Sequence, residues 1–360
     1  MSEKITKELI EILNSISADY IEPYIIYSRK IMKLIVQEII DILNECGNVK
    51  CLYSVKANLN DHVISYLSEF VDGFDVASWE EYTRVSGYNK IVSASGYAFT
   101  HGQIQEIVKS HQFDFISINQ LQNVCKTMDC RDIAIRINGY ISKLEDNKKR
   151  SSRFGCLYET DCQCIKSICK IYNLRLTRLH IHLGQKDNNN INNIIEELKR
   201  WCKSFDSICQ INIGGGWDYL YDMGLFSENV KKIAQLFRDK QIYIEPGSLL
   251  VRKSGILVSS VADYCINLQR QGNVMLDVSA FNLSSWYVPK IIANIHRGEI
   301  IPFSEYNVCG NTCFESDIFQ VKETRKIGAH DIVCLYPVGA YFNSTYRKLH
   351  NIAFPKEILI

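Results

Sequence analysis

Short runs rich in β-branched and aromatic residues recur along the chain. Each is followed by a longer stretch in which apolar positions return every three or four residues. The short runs are KCLYSVK (50–56), FDVAS (74–78), KIVSAS (90–95), FDFISIN (113–119), DIAIRIN (132–138), RLTRLHIHLG (175–184), SICQINIGGG (207–216) and QIYIEPG (241–247). Helical periodicity falls between them, at 120–128, 157–171, 190–204 and 226–239. Strands alternating with helices predict βαβ units and a parallel sheet. Eight such units over roughly 220 residues predict a closed (β/α)8 TIM-type barrel, whose usual size is about 250 residues.

The pattern changes after Gly247. GILVSSVADYCINL, NVMLDVSA, DIFQVKE and DIVCLYPVGAY follow one another without long helices between most of them, which predicts a mostly antiparallel β domain. The early run YIIYS (24–28) precedes the first barrel helix and can pair into that domain. The expected organisation is a barrel over 29–250, with a β domain formed by both chain ends, 1–28 and 251–360, that completes the active site.

Composition narrows the function classes. At 360 residues, 46% hydrophobic and 22% charged, the chain can bury a large core and a smaller one. A net charge of +1 argues against electrostatic binding of nucleic acid or an anionic membrane. The short basic run Lys148-Lys149-Arg150 reads as a solvated loop. No apolar stretch approaches the ~18–20 residues of a membrane span. The opening MSEKITKELIEILNS reads as an amphipathic helix without a signal-peptide core, so a cytoplasmic protein is expected. Fourteen cysteines are scattered without a zinc-site spacing and are expected to be reduced, most of them small core residues; no metal site is expected.

In a barrel of this type the active site lies at the C-terminal ends of the strands. Lys56 closes the first strand, His182 the sixth, Gly214-Gly215-Gly216 follow the seventh, and Glu245-Pro246-Gly247 follow the eighth. Taken singly, a strand-end lysine is usually solvated, a glycine run can be a tight turn, a histidine can be a core residue and a glutamate a helix cap. Together they converge on one mouth from four strands. Bare backbone N–H groups can wrap a phosphate, a desolvated lysine can form an imine, and a buried carboxylate facing a pyridine nitrogen keeps it protonated, making the ring an electron sink.

These motifs, in this order from about Tyr20 to Pro355, closely resemble the alanine-racemase-like (fold type III) pyridoxal 5'-phosphate enzymes of the ornithine, diaminopimelate and carboxynorspermidine decarboxylase group. The resemblance implies an amino-acid decarboxylase. Tyr53-Ser54-Val55-Lys56-Ala57-Asn58 matches the cofactor segment and makes Lys56 the Schiff-base lysine. Asp75 would lie near that lysine, and Arg136 near the lysine or ring. Ser152-Arg153-Phe154-Gly155 matches a barrel loop. His182 would stack on the ring, Gly214 to Gly216 would bind the phosphate, and Glu245, followed by Gly247, would face the pyridine nitrogen. Tyr341, in Gly-Ala-Tyr, would reach the phosphate. Cys313 matches a catalytic cysteine supplied across a dimer interface, which implies a head-to-tail homodimer with shared sites.

The departures bear on the substrate. Ser248 stands where the family carries an arginine after Glu-Pro-Gly, with Arg252 four residues on; Gln185 replaces a serine; and Phe314 replaces the acidic residue that pairs a distal ammonium in ornithine and lysine decarboxylases. The diaminopimelate-type arginine is absent between Asn282 and Pro289. Asp277-Val-Ser-Ala and Cys313-Phe-Glu-Ser-Asp317 are nearer the carboxynorspermidine branch. The expected substrate is therefore a modified or conjugated amino acid or a carboxylated polyamine, with Glu315, Asp317 and Trp286 as candidate contacts. Meso-diaminopimelate decarboxylation and a cofactor-free regulatory paralogue that binds a partner are the alternatives.

Overall fold

The structure, a computed structural model, describes residues 3–128, 130–138, 152–267, 271–283 and 286–360; the basic run at 148–150 lies outside them. The chain divides into two compact units. One comprises Gln37–Lys56 and Leu67–Leu249, the other Met1–Val36, Ala57–Tyr66 and Leu250–Ile360.

In chain order the first strand, β1 (Tyr24–Tyr27), belongs to the second of these units. Eight strands follow: β2 (Val49–Ser54), β3 (Gly73–Ser78), β4 (Ile91–Ala98), β5 (Gln112–Phe115), β6 (Asp132–Arg136), β7 (Arg175–His180), β8 (Gln210–Asn212) and β9 (Gln241–Ile244). They close into a parallel barrel in sequence order, with β2 returning to β9 at Val49 opposite Ile242. This is the expected (β/α)8 barrel. The helices between strands follow the sequence periodicity closely, at Ile118–Cys125, Tyr158–Tyr172, Asn188–Cys202 and Phe226–Leu236. Asn188–Cys202 shows the logic in full: Asp187 caps its N-terminus, and Ile191, Ile194, Ile195, Leu198 and Trp201 form the stripe that packs inward.

Several strands end earlier than their apolar runs suggest. The regular strands end at Ser54, His180 and Asn212; the next apolar residues, Val55, Ile181 and Ile213, are buried, and the N–H groups of Ile181 and Ile213 make the last bonds to the neighbouring strands, at the Asn212 and Tyr243 carbonyls. Lys56, His182 and the three glycines therefore sit on irregular backbone just past the strand ends, where side chains need not alternate between two faces.

The other unit is built on a sheet ordered β12-β15-β10-β11-β13-β14, comprising β10 (Gly255–Ile266), β11 (Gly272–Leu276), β12 (Lys290–Ile295), β13 (Tyr306–Cys309), β14 (Ile318–Glu323) and β15 (Ile332–Tyr336). Most of its pairings are antiparallel; β11–β13 is parallel. As the sequence suggests, β1 joins this sheet, antiparallel to β10 and parallel to the final strand β16 (Lys356–Leu359). The amphipathic opening segment forms helix Glu3–Ser15, which buries Ile5, Leu9 and Ile12. Among the described residues no helix is long and apolar enough to cross a membrane, and all fourteen cysteines are free thiols.

Candidate active site

Within the barrel unit, the 3-10 turn Val55–Ala57 that follows β2 carries Lys56. Its Nζ donates to Asp75 Oδ2 at 2.9 Å, and Ser54 Oγ donates to the same oxygen at 2.7 Å. Lys56 remains partly open, with 41% of its side chain exposed, whereas Asp75 is buried. Burial alone would raise the Asp75 carboxyl, but the facing Lys56 ammonium outweighs it and the net shift is downward. Asp75 is thus an ionised anchor that holds an accessible amine in place.

Glu245, at the end of β9, is buried, and its Oε1 accepts from Asn212 Nδ2 on β8. Desolvation, followed by repulsion from Asp75, holds its carboxyl above the ordinary range. Its Oε2 lies 3.5 Å from His180 Nε2, and His180 Nδ1 lies 2.9 Å from Asp114 Oδ2. Asp114 is in turn paired with Arg178 (Nε to Oδ1, 3.1 Å), and the guanidinium also donates to Ser93 Oγ at 2.7 Å. Arg178 lies over the Tyr243 ring at 4.8 Å. A chain of polar groups thus crosses the barrel interior behind Glu245. Asp114, His180 and Glu245 offer ligand atoms within 4.8 Å of one another, but the Arg178 guanidinium on Asp114 makes that corner unfavourable for a cation.

His182 lies two residues past β7. Burial, then the positive charges of Lys186, Arg136 and Lys56, push its imidazole well below the usual histidine range, so it is neutral. Its ring packs against the glycine turn: a Cβ at Gly214 would come within 2.7 Å of His182 Nδ1. That Nδ1 is buried and has no hydrogen-bond partner among the described residues. Gly214 and Gly216 have φ of +71° and +82°. A Cβ at Gly215 would meet the Glu245 carbonyl at 2.6 Å, and one at Gly216 the Gly184 carbonyl at 2.0 Å. Only glycine fits this close approach of backbone to backbone. Gly214 N–H donates to Asn212 Oδ1, while the N–H groups of Gly215 and Gly216 meet no acceptor among the described residues. The turn is a cradle with two donors to offer.

Arg136, the last residue of β6, is partly buried with its guanidinium 5.0 Å over the Phe154 ring. Burial lowers it, and Glu245, Asp75 and Asp114 act in the opposite sense as the nearby negative charges. Gly247 is buried in the loop after β9.

Lys186 was not singled out by sequence reasoning, yet it lies in this site. It is 1% exposed, its Nζ donates to the Gly215 carbonyl oxygen, and it lies 4.8 Å over the Trp217 ring. Burial brings its ammonium down to about 7. Asp114, Arg178 and Asn212 were also missed; the available signal was charged and amide residues at interior positions of otherwise apolar strands.

The remaining expected residues belong to the sheet unit. Tyr341, with φ +60°, donates its N–H to the Ala57 carbonyl at 2.7 Å and stacks on Trp286 with ring centroids 4.0 Å apart. Trp286 is 70% exposed. Cys313 is exposed, and its backbone N–H donates to His350 Nε2. Glu315 is exposed beside it. Asp317 is buried, and its carboxylate is occupied by Phe281 N–H at 2.8 Å, Thr312 N–H at 3.0 Å and Thr312 Oγ1 at 2.5 Å. It holds the loop that presents Cys313 and Phe314. Phe314 packs on Phe281, centroids 4.4 Å apart.

Comparison with known proteins gives this arrangement a context. The chain is 25% identical to the carboxynorspermidine/carboxyspermidine decarboxylase of Herminiimonas arsenicoxydans, over 84% of each protein. It is 26% identical to the diaminopimelate decarboxylase of Buchnera aphidicola, over 94% of this chain and 88% of that one. The fold matches the arginine decarboxylase of Paramecium bursaria Chlorella virus with a TM-score of 0.79 at 16% identity, covering 98% of this chain and 99% of that one. Residues 32–252 match the family model of the pyridoxal-dependent decarboxylases, in the part described as their pyridoxal binding domain. The chain belongs to the pyridoxal-dependent decarboxylase family.

Proposed function

We propose that this protein is a pyridoxal 5'-phosphate-dependent carboxy-lyase that removes carbon dioxide from an L-amino-acid centre of a modified or conjugated amino acid or carboxylated polyamine. The observation that carries the reading is the convergence of an accessible Lys56 amine on Asp75, a buried Glu245 and the open N–H groups of Gly215 and Gly216 within one barrel unit. These residues fit the cofactor. A glycine turn packed too closely on its neighbours for any Cβ, with two uncommitted N–H donors, suits a phosphate. The unpartnered Nδ1 of His182 and its neutral ring suit a flat aromatic neighbour.

When bound, the cofactor supplies an electron sink for the charge left on Cα as carbon dioxide departs. The chain's residues divide the remaining tasks. Lys56 Nζ, held by Asp75, is the amine that tethers the cofactor and gives way to the substrate amine. Glu245 would face the pyridine nitrogen and keep the proton there, and Asn212 and His180 fix the orientation of its carboxyl. Arg136 adds positive charge close to Glu245 and Asp75. Cys313 would donate the proton to Cα after carbon dioxide leaves, supplied by the partner of a homodimer; Tyr341 would serve the phosphate, and Glu315 and Trp286 the distal part of the substrate. Asp317 serves the same task indirectly by holding that loop.

Phe314 argues against a free distal ammonium on a short substrate such as ornithine or lysine, since an aromatic ring offers only a weak cation–π contact. The two relatives above favour carboxylated polyamines and meso-diaminopimelate as the first compounds to try. Carbon dioxide release from carboxynorspermidine or carboxyspermidine, exceeding that from meso-diaminopimelate, is the expected result. Release from meso-diaminopimelate alone would move the chain to that activity, and release from none of them, with cofactor bound, would redirect the search to larger conjugates.

A further inference from the structure

Lys186 is a buried lysine with no carboxylate within ion-pair distance among the described residues. Its ammonium has two neighbours, the Gly215 carbonyl oxygen and the face of Trp217. Trp217 is itself pinned, its Nε1 donating to the Gly214 carbonyl at 2.8 Å. Buried ammonium groups are ordinarily paired with an anion or give up their proton. This one is placed where an anion would arrive. In a trans peptide the C=O and N–H groups point in opposite directions, and Gly215 C=O shares its peptide with Gly216 N–H, one of the two uncommitted donors of the cradle. A cation on the carbonyl side polarises that peptide and strengthens the donor on the far side. The Lys186 backbone N–H does the same to the next peptide, donating to the Gly216 carbonyl at 2.7 Å. Ser248, an uncharged residue, follows Glu245-Pro246-Gly247, so no cation stands directly after that turn.

We propose that Lys186 is the positioning residue for the cofactor phosphate: from beneath the glycine turn it fixes the Gly215–Gly216 peptide, sharpens its N–H toward the anion and supplies the positive charge that Ser248 does not. This deepens the proposed function and rests on it. Lys186 cannot touch the substrate, being sealed behind the turn; it acts through backbone. Glu245 supports its charge and Arg136 opposes it, and a phosphate dianion in the cradle tips the balance toward the ammonium.

The test separates phosphate from ring. Pyridoxal phosphate and pyridoxal are titrated into the parent and into Lys186→Met, Lys186→Gln and Lys186→Arg, following quenching of tryptophan fluorescence. Inorganic phosphate serves as competitor, and far-UV circular dichroism checks the fold. The glutamine retains an N–H donor without the charge; the arginine retains the charge. The parent should prefer the phosphorylated ligand. Met and Gln variants should lose roughly tenfold or more of that preference, the size of one charge acting across about 8 Å of protein. Their affinity for pyridoxal should move less than about twofold, and the arginine variant should recover most of the preference. A preference unchanged in Lys186→Met and Lys186→Gln, or an equal loss for both ligands, overturns the assignment, the second outcome leaving Lys186 a strut for the loop. If the parent itself shows no preference, the phosphate reading of the cradle fails first, and the assignment to Lys186 falls with it.

Discussion

Replacing Gly216 by alanine isolates the geometry on which the cradle depends. Two costs arise. The backbone at Gly216 has φ +82°, a left-handed conformation that costs an L-residue about 1–2 kcal/mol. The new Cβ would also lie 2.0 Å from the Gly184 carbonyl oxygen and 2.7 Å from its carbon, both backbone atoms that no rotamer change can move. Relief requires the 184–186 strap or the glycine turn to shift, an overpacking cost of about 1–3 kcal/mol. Gly224 supplies the control, since it has φ +72° with nothing within 4 Å of its would-be Cβ and bears the conformational cost alone. Urea unfolding followed by circular dichroism should therefore rank the parent above Gly224→Ala, and Gly224→Ala above Gly216→Ala by about 1–3 kcal/mol. Because the shift displaces the Gly215 and Gly216 donors, Gly216→Ala should also bind pyridoxal phosphate at least about tenfold more weakly, whereas Gly224→Ala should bind it like the parent. Equal stability of the two variants, with cofactor affinity intact in both, would refute the reasoning.

Other perturbations reach other parts of the site. Arg178→Met strips the buried Asp114 of its guanidinium and should cost about 3–5 kcal/mol in urea unfolding, with much of the loss recovered in the Arg178→Met/Asp114→Asn double variant. Asp75 has a folded-state carboxyl below its ordinary value, so its contribution to stability is present above the unfolded carboxyl range and is lost as pH falls through the folded one. Acid unfolding of Asp75→Asn should accordingly be flatter than the parent's as pH falls through and below the ordinary carboxyl range; parallel curves would contradict the pairing with Lys56. Cys313→Ser should slow product formation or misdirect the returning proton while leaving cofactor affinity within about twofold of the parent; a loss of cofactor instead would place Cys313 in binding rather than chemistry.

The barrel was legible because each strand–helix pair carries its own periodicity and none depends on a distant partner. Lys56, the three glycines and Glu245 were legible for a related reason: a charge or a glycine run directly after an apolar strand is locally anomalous. What escaped depends on closure. Lys186 reads as a loop lysine, and its burial comes from Trp217 and the Gly214–Gly216 turn, some thirty residues later in the chain. Asp114, Arg178 and His180 become partners only when β5, β6 and β7 align, with Asp114 opposite Ala134 and Ala134 opposite Arg178. Asp317 looked free to meet a substrate because the sequence does not show that the Thr312 and Phe281 amides turn back onto its carboxylate. The strand ends were overrun because Val55, Ile181 and Ile213 are buried like strand residues, and Ile181 and Ile213 still donate to the neighbouring strands, at the Asn212 and Tyr243 carbonyls, although the regular strands end one residue earlier.

The measurement that bears most directly on the account is the visible absorption spectrum of the purified protein with pyridoxal phosphate, beside Lys56→Ala. An absorption band is expected in the parent, retained through desalting and abolished in Lys56→Ala, because Lys56 Nζ is the amine that tethers the cofactor. A parent that retains no cofactor would contradict it and put a regulatory, partner-binding role in place of catalysis. A band that persists unchanged in Lys56→Ala would remove Lys56 from the centre of the site.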